Sequence, residues 1–230
     1  MNTIKKGKIE VRMAKIEDLP QMLDVERATW GKEGATEEMI KSRIETFSDG
    51  ILVALMDNKI VGTLMTQIIN ADDIGLKTWY GITDDGFIKK THTPKGDTLY
   101  GVSLSVHPLY RQIGISRKIF ENIVKLIVKY NLKQVMLGGR VPDYYKFADK
   151  IKIEDYIKIE EDNGNIPPDS ELTFYRKFGL DIVKIIPNYF KDPESLNYGI
   201  LLRRKNPCFN KFYRWFILIN QNWILNIWYD

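Results

Sequence analysis

The chain has 230 residues, of which 44% are hydrophobic, 12% aromatic and 28% charged, and its 34 basic and 30 acidic residues give a formal net charge of +4. This composition suits one large globular domain or two small ones, and it excludes a disordered, collagen-like or disulfide-rich chain. The charge excess is too small to indicate nucleic acid as a partner, although it does not repel an anionic ligand.

The first third of the chain predicts a strand, two helices and a hairpin. The N-terminus is basic and lacks the apolar run of a secretory signal, so we expect a cytoplasmic protein. An N-cap at Thr36 before an acidic first turn starts the second helix. The first helix carries a partial apolar stripe that includes one acid, Glu26. The predicted elements are a strand over Ile9–Met13, helices over Asp18–Trp30 and from Thr36 to about Phe47, and strands over Ile51–Met56 and Ile60–Ile69.

The remainder of the chain predicts an α/β arrangement around one mixed sheet, with a strand–helix–strand unit at its centre. Residues 70–97 form a polar segment too long for a structureless loop in a compact domain, so we expect it to be partly ordered or functional. Residues 138–170 form an insertion of mixed charge. The predicted elements are strands over Leu99–His107, Lys133–Leu137, Leu180–Ile186 and Tyr198–Arg204, and helices over Gly114–Tyr130 and Glu171–Phe178.

The turn between the strand that ends at Val106 and the helix that starts at Gly114 is a candidate anion site. A glycine there lets backbone amides approach a ligand, and the free N–H groups of a helix N-terminus favour phosphate. Arg111 and Arg117 add positive charge. The segment is neither a P-loop nor a Gly-x-Gly-x-x-Gly motif. The alternative is a chance string that only starts a helix.

Two segments resemble motifs of the GNAT N-acetyltransferases. Residues 102–116 read VSLSVHPLYRQIGIS and are similar to motif A, which is Arg/Gln-x-x-Gly-x-Gly/Ala after an apolar strand and a proline. Residues 172–180 read LTFYRKFGL and resemble the family's Phe-Tyr-x-x-x-Gly-Phe segment. The element order is also similar to the GNAT order from residue 9 to about 204. Two motifs in the right order, on the right elements, support the resemblance better than either alone.

The resemblance implies a GNAT acyl-CoA N-acyltransferase fold, with a mixed, mostly antiparallel sheet flanked by helices. It implies acetyl-CoA as acetyl donor, with no metal, and an unidentified primary amine as acceptor. Tyr175 matches the tyrosine that protonates the departing CoA thiolate, and the amide of Val106 matches the usual contact of the thioester carbonyl. The residues implied to bind the cofactor are Leu104, Ser105, Val106, Arg111, Gln112, Ile113, Gly114, Ile115, Ser116 and Arg117.

The sequence departs from the family pattern at two places. Ser116 stands where motif A has Gly or Ala, and Gly138-Gly139-Arg140 occupies the region where many members place an Asn that holds the CoA arm. Residues 138–149 (GGRVPDYYKFAD) and 187–199 (PNYFKDPESLNYG) are similar to a subgroup of GNAT domains often fused to a carbon–nitrogen hydrolase domain. We expect a stand-alone GNAT domain over residues 1–206, without hydrolase activity.

The sequence does not identify a general base. The central strand offers Ser103 and Ser105 but no carboxylate, and the candidates elsewhere are Asp143, Glu171 and the pair Asp72-Asp73. His107, before a proline, is expected to be a turn residue. Among the aromatic side chains, we expect Trp79 and Tyr80 to belong to a lid over the acceptor. We expect the insertion's Tyr144, Tyr145, Phe147 and Tyr156 to pack in the insertion instead of lining a pocket.

Residues 207–230 form an aromatic C-terminal extension, with Phe212, Trp215, Phe216, Ile219 and Trp223 at helical spacing. We expect an extra helix packed on the domain; the alternative is an apolar face used in a homodimer or at a membrane surface. Its uncharged run is too short to span a bilayer. The leading hypothesis is direct acetyl transfer to an amine, and the competing one is a non-catalytic GNAT-fold module that binds CoA or a protein.

Overall fold

The computed structural model describes residues 7–162 and 164–212. In this part of the chain seven strands form one sheet in the order β1-β2-β3-β4-β5-β7-β6. The strands are β1 (Ile9–Met13), β2 (Ile51–Met56), β3 (Lys59–Ile69), β4 (Thr98–Val106), β5 (Gln134–Gly139), β6 (Asp181–Ile186) and β7 (Gly199–Lys205). The α-helices are α1 (Leu19–Trp30), α2 (Glu37–Phe47), α3 (Trp79–Thr83), α4 (Ile115–Tyr130), α5 (Ile153–Tyr156) and α6 (Ser170–Arg176).

The sheet is mixed and mostly antiparallel, as predicted. Of the seven described strands, only β4 and β5 pair in parallel, and α4 makes the crossover between them. Its core-facing side is apolar, and Ile115, Ile119, Ile123 and Ile127 on that side are all buried. Because this face is continuous over the whole helix, α4 docks firmly and fixes where its own N-terminus lies beside β4.

The two central strands separate along their length, and this separation determines the position of the site. β4 pairs with β5 only from Thr98 to Gly101. It pairs with β3 over its whole length, with Val102 as an extra residue between the pairs Met65↔Ser103 and Thr66↔Gly101. A bulge of this kind bends a strand. Among the described residues, the end of β4 beyond Gly101 therefore has no strand beside it on the β5 side, and a cleft opens there.

The long segment before β4, residues 70–97, is ordered, which is one of the two alternatives expected for it. It contains α3, and the side chains of Ile74, Ile82 and Ile88 are buried in the core. The insertion begins later than expected, at Arg140, because Gly138 and Gly139 continue β5 and pair with β7.

The aromatic residues of the insertion mostly pack within it. Tyr144 and Tyr156 are buried with ring centroids 5.1 Å apart, and Phe147 lies 6.2 Å from the Tyr156 ring, whereas Tyr145 is exposed. Within the C-terminal extension, residues 207–210 form a turn. The helix expected beyond them lies outside the described residues, so the extension's helix and its role in a dimer stay predictions.

Candidate active site

A cleft of about 1350 Å3 enters the molecule where β4 and β5 separate. It is bounded by α1 and α2 on one side, by the end of β4 and the N-terminus of α4 in the middle, and by α6 and residues 190–194 on the other side. Ligand pockets usually enclose about 300–1,000 Å3, so this cleft has room for a ligand larger than most.

The backbone of β4 presents polar groups to this cleft. The amide of His107 donates to the carbonyl of Val61, 3.0 Å away in β3, so His107 and Ser105 point their backbone groups toward β3. Because successive residues of a strand alternate, the amide of Val106 points to the opposite side, where β5 has already diverged. This amide can donate to a ligand oxygen in the cleft.

The N-terminus of α4 supplies further amides. Gln112 (φ 64°) and Gly114 (φ 99°) have left-handed backbone conformations that lead the chain from the turn into the helix. The first backbone bond of the helix runs from the Lys118 amide to the Gly114 carbonyl, 3.1 Å, so the amides of Ile115 and Ser116 precede the intrahelical ladder. A Cβ atom at Gly114 would have no atom of residues 7–162 or 164–212 within 4 Å, its chain neighbours excepted. The turn therefore leaves open space in front of the amides, which suits an anionic ligand.

Most of the predicted cofactor residues lie on the cleft wall. Arg111 is held by a hydrogen bond from its Nε to the Val106 carbonyl, 3.3 Å, and its side chain is exposed. Ser105 and Ile113 are not part of the lining, and the Ser105 side chain is buried. The predicted residues that do line the cleft are Leu104, Val106, Arg111, Gln112, Gly114, Ile115, Ser116 and Arg117.

Tyr175 and Glu171 lie one helical turn apart on α6, and both face the cleft. The Tyr175 ring lies against Gly139 of β5, where an added Cβ would be 3.4 Å from Cε2. Burial raises the pKa of Tyr175 well above its ordinary value, and the nearby Glu171 carboxylate raises it further. The phenol therefore stays protonated through neutral pH and can act as a proton donor.

Glu171 is the expected base candidate that the structure places in the cleft. Burial raises the pKa of its carboxyl to about 7, although the Arg140 amide donates to Oε1 at 3.0 Å and lowers it in part. Burial alone would raise the pKa of Asp143, but hydrogen bonds from Lys146 and Ser170 bring it below its ordinary value. Asp72 and Asp73 lie in a short turn that is not part of the cleft lining.

The family comparison agrees with this geometry. The acetyltransferase (GNAT) family matches residues 19–146. The chain is also 37% identical over 178 residues to the uncharacterized N-acetyltransferase YkwB of Bacillus subtilis, a match that covers 76% of this chain and 77% of that protein. This chain belongs to the GNAT acetyltransferase family.

Other relatives agree with the subgroup resemblance and with the fold. The GNAT chain is 31% identical over 202 residues to the probable hydrolase YhcX of B. subtilis, but the match spans only 39% of that longer protein. Among solved structures, the loading GNATL domain of CurA from Lyngbya majuscula superposes with a TM-score of 0.75 at 22% identity, covering 86% of this chain and 98% of that one. The GphF GNAT-like decarboxylase, solved with isobutyryl-CoA, gives a TM-score of 0.72 at 22% identity, covering 85% and 98%.

A carboxylate does reach the central strands of this GNAT domain, and the sequence analysis missed it. Glu26 of α1 is 1% exposed, and its Oε1 accepts hydrogen bonds from the hydroxyls of Ser105 (2.6 Å) and Thr63 (3.0 Å). Its Oε2 accepts from the Ala35 amide at 3.2 Å, and the indole of Trp30 donates to the Ser105 hydroxyl at 2.7 Å. The sequence did contain a signal for this contact, because Glu26 is an acid within the apolar stripe of α1. An acid on a buried helix face needs polar partners in the core.

The two subgroup-like segments of this GNAT chain meet beside α6. The ring of Tyr189 lies between Gly138 and Gly199, where added Cβ atoms would each be 2.1 Å from ring carbons. The Tyr189 hydroxyl forms a hydrogen bond with that of Tyr100 in the core. The glycine at position 138 therefore leaves room for the Tyr189 ring.

Arg140 joins the same two segments through an ion pair. Its Nε and Nη2 bind the two carboxylate oxygens of Asp192 at 2.7 and 2.8 Å, and Asp192 also accepts from the hydroxyl of Ser195. Ser195 Oγ accepts from the Val141 amide at 2.9 Å. Because Glu171 accepts from the amide of Arg140, this network positions the base candidate.

The remaining expectations concern the lid and the turn. Trp79 and Tyr80 line the cleft, and the Trp79 indole donates to the carbonyl of the bulged Val102 at 3.1 Å. The ring of His107 accepts from the Leu109 amide, as suits a turn residue. Between residues 7 and 212, apart from Asn163, there is no cluster of three or more side chains that could hold a metal ion and no helix able to cross a membrane.

Proposed function

We propose that the protein transfers the acetyl group of acetyl-CoA directly to a primary amine. The observation that carries this proposal is the Val106 amide, which faces the cleft beside the open N-terminus of α4. One arrangement thus offers a donor to the thioester carbonyl and an anion site for the CoA pyrophosphate. The GphF relative, whose structure contains isobutyryl-CoA, supports an acyl-CoA as the donor.

The cofactor would lie along the free edge of β4. The amides of Ile115 and Ser116 would bind the pyrophosphate, with positive charge from Arg111 and Arg117. The pantetheine arm would lie where β5 has diverged, next to Leu104. The aromatic rings of Phe120 and Phe178, stacked with centroids 3.9 Å apart, line the cleft on the α6 side and would pack against the apolar parts of the arm.

The reaction requires one base and one acid. Glu171 would accept a proton from the ammonium form of the acceptor, and the free amine would attack the thioester carbon. The Val106 amide would stabilise the oxyanion that forms. As the tetrahedral intermediate collapses, the C–S bond breaks and Tyr175 would donate its proton to the CoA thiolate, while the attacking nitrogen would lose its extra proton and thereby restore the Tyr175 phenol. The products are the N-acetylated amine and free CoA.

Calorimetric titration followed by an activity assay tests this proposal. Acetyl-CoA and CoA should bind with micromolar affinity, and ATP should not. CoA release, measured with a thiol reagent over a panel of amines, should then identify a turned-over acceptor. In Tyr175→Phe the rate should fall by about 10²–10⁴-fold at unchanged acetyl-CoA affinity, the range for a general acid. The exposed Tyr145→Phe is the matched control and should keep its rate.

The same experiment separates an enzyme from a non-catalytic binding module. The sequence supports the module mainly by the lack of a carboxylate on the central strand. In the structure Glu26 reaches that strand and Glu171 lies in the cleft. Binding of acetyl-CoA with no turnover of any amine would favour the module, and no binding at all would contradict the cofactor site.

A further inference from the structure

A buried arginine on the α2 side of the cleft has no role in the mechanism above. Arg43 lies in the middle of α2, is 1% exposed and lines the cleft. Its Nε donates to the carbonyl of Gly86 at 2.6 Å, and its Nη1 lies 2.9 Å from the sulfur of Met65. A backbone carbonyl and a thioether leave most of the donors of a guanidinium unused.

The positive charge of Arg43 is not paired in the described part of the chain. Burial lowers the pKa of Arg43 to about 10, so the side chain is charged at neutral pH. Glu26 is the acid that offsets this effect, but no carboxylate oxygen of the described residues lies within 4 Å of the Arg43 nitrogens. The carboxylate of Glu26 is already bound by Ser105, Thr63 and an amide. Buried arginines are almost always paired, since an uncompensated charge is costly.

The unused edge of the guanidinium is next to two other side chains of the cleft lining. A Cβ atom at Gly86 would lie 3.0 Å from Nη2 of Arg43, 3.1 Å from Cη2 of Trp79 and 3.3 Å from the sulfur of Met39. Gly86 has φ +91°, which also disfavours a side chain. The absence of a side chain at Gly86 therefore allows Nη2 of Arg43 to pack closely against the backbone beside Trp79 and Met39.

We propose that Arg43 binds the carboxylate of the acetyl acceptor, so that the acceptor is a small molecule carrying both an amine and a carboxylate. The guanidinium fork matches a carboxylate in a bidentate arrangement, and a ligand there supplies the missing negative charge. Glu171 lines the same cleft and is the base candidate for the ammonium group of such a molecule. This assignment of the acceptor rests on the proposed function, whereas carboxylate binding at Arg43 does not.

The first test uses the wild-type protein and matched acceptors. L-alanine, L-methionine and L-lysine are compared with their primary amides at saturating acetyl-CoA. The free acids should react with a kcat/KM at least about tenfold higher, which corresponds to about 1.4 kcal/mol. Equal rates, or a preference for the amides, would overturn the proposal. If a carboxylate raises the rate only when it is on the donor, in succinyl-CoA compared with acetyl-CoA, then Arg43 binds the acyl group. That result would overturn the assignment of Arg43 to the acceptor.

The second test uses Arg43→Met, with Lys41→Met on the exposed side of the same helix as control. Arg43→Met should abolish the preference for free acids and leave acetyl-CoA affinity within about twofold, while Lys41→Met should change neither. Arg43→Lys keeps the positive charge without the bidentate guanidinium, so it should retain part of the preference for free acids. It replaces Arg43→Met in this test if the methionine variant does not fold. A preference that survives in both Arg43 variants contradicts the proposal.

A binding measurement separates failure of this proposal from failure of the proposed function. The free amino acids should raise the Tm of the CoA-bound wild-type protein more than their amides do, and Arg43→Met should remove that difference. If acetyl-CoA binds and this shift is seen without any turnover, carboxylate binding stands and the acetyl-transfer proposal fails. If turnover occurs without the Tm shift and without the preference for free acids, acetyl transfer stands and carboxylate binding at Arg43 fails.

Discussion

Replacing Gly114 with alanine tests whether the turn before α4 binds the cofactor. Gly114 has φ 99° and ψ 7°, in the left-handed region that disfavours a Cβ atom. Apart from the neighbours of Gly114 in the chain, no atom of the described residues lies within 4 Å of the added Cβ, so the substitution creates no clash with them. Its effect on the free protein is therefore purely conformational. Its effect on binding depends on what occupies the open space.

The size of the effect follows from the backbone conformation. A non-glycine residue in the left-handed region costs about 1–2 kcal/mol. If the bound state needs this turn and the free protein can relax, the full cost appears as weaker binding, a factor of about 5–30 in Kd. A cofactor that lies against the added methyl group would increase this factor. To the extent that the free protein keeps the strained turn, the cost lowers Tm instead, by about 2–4 °C per kcal/mol for a chain of this length.

Gly75→Ala is the matched control for this experiment. Gly75 also has a positive φ, 48°, and open space around its Cβ position, but it is not part of the cleft lining. Both variants should lose some Tm, and only Gly114→Ala should bind acetyl-CoA more weakly in calorimetry. Wild-type affinity in Gly114→Ala, or equal weakening in Gly75→Ala, would refute the placement of the cofactor at this turn.

Three further predictions concern the base candidate Glu171, the packing around Gly138 and the buried acid Glu26. Because burial raises the pKa of Glu171 from 4.5 to about 7, its contribution to stability is present below pH 4.5 and is lost as pH rises through 7. As pH rises from 5 to 8, the Tm of Glu171→Gln should therefore increase relative to that of wild type. The variant should also lose the increase in reaction rate with pH near pH 7. Curves of Tm against pH that run parallel for the two proteins would contradict this. Gly138→Ala should lower the free energy of unfolding by about 1–3 kcal/mol, because its Cβ would be 2.1 Å from the Tyr189 ring. In a double-mutant cycle, Tyr189→Ala should relieve part of that loss. If the two effects simply add, the clash is excluded. Glu26→Gln should lower the free energy of unfolding, measured in urea, by about 1.5–3 kcal/mol, because its hydrogen bonds are no longer made to a charged group. A loss no larger than that of the exposed Glu33→Gln would argue against the hydrogen-bond network of Glu26.

The motif-bearing turn and helices of this site could be predicted from the sequence because their signals are local. The strand that ends at Val106, the glycine at 114 and the amphipathic helix after it are all neighbours in the chain. Tyr175, which lies in the cleft, was proposed as the acid in the same way, from a short motif on one helix. For Glu171 the sequence provided only a residue type among other acids. Its place in the same cleft as the turn before α4, and the burial that raises its pKa, depend on how α6 packs against β5.

The groups that the sequence analysis missed are brought to the cleft by long-range contacts. Glu26 and Ser105 are 79 residues apart, and Arg43 and Gly86 are 43 apart. In the sequence, Glu26 is an acid in an apolar stripe and Arg43 is a base within a short amphipathic helix. Neither pattern indicates which strand the side chain will meet, because that depends on how the helices dock on the sheet.

The sequence by itself determined the family, the order of the elements and the residues around the turn between β4 and α4, since periodicity, caps and short motifs carry that information along the chain. The tertiary structure decided where β4 leaves β5, which way the Val106 amide points and which acid becomes buried. It also decided that Gly138 makes room for Tyr189 and that Arg43 is charged, buried and without a carboxylate partner among the described residues. These properties depend on side chains from distant segments that share one low-dielectric space, where burial and pairing determine charge and chemistry.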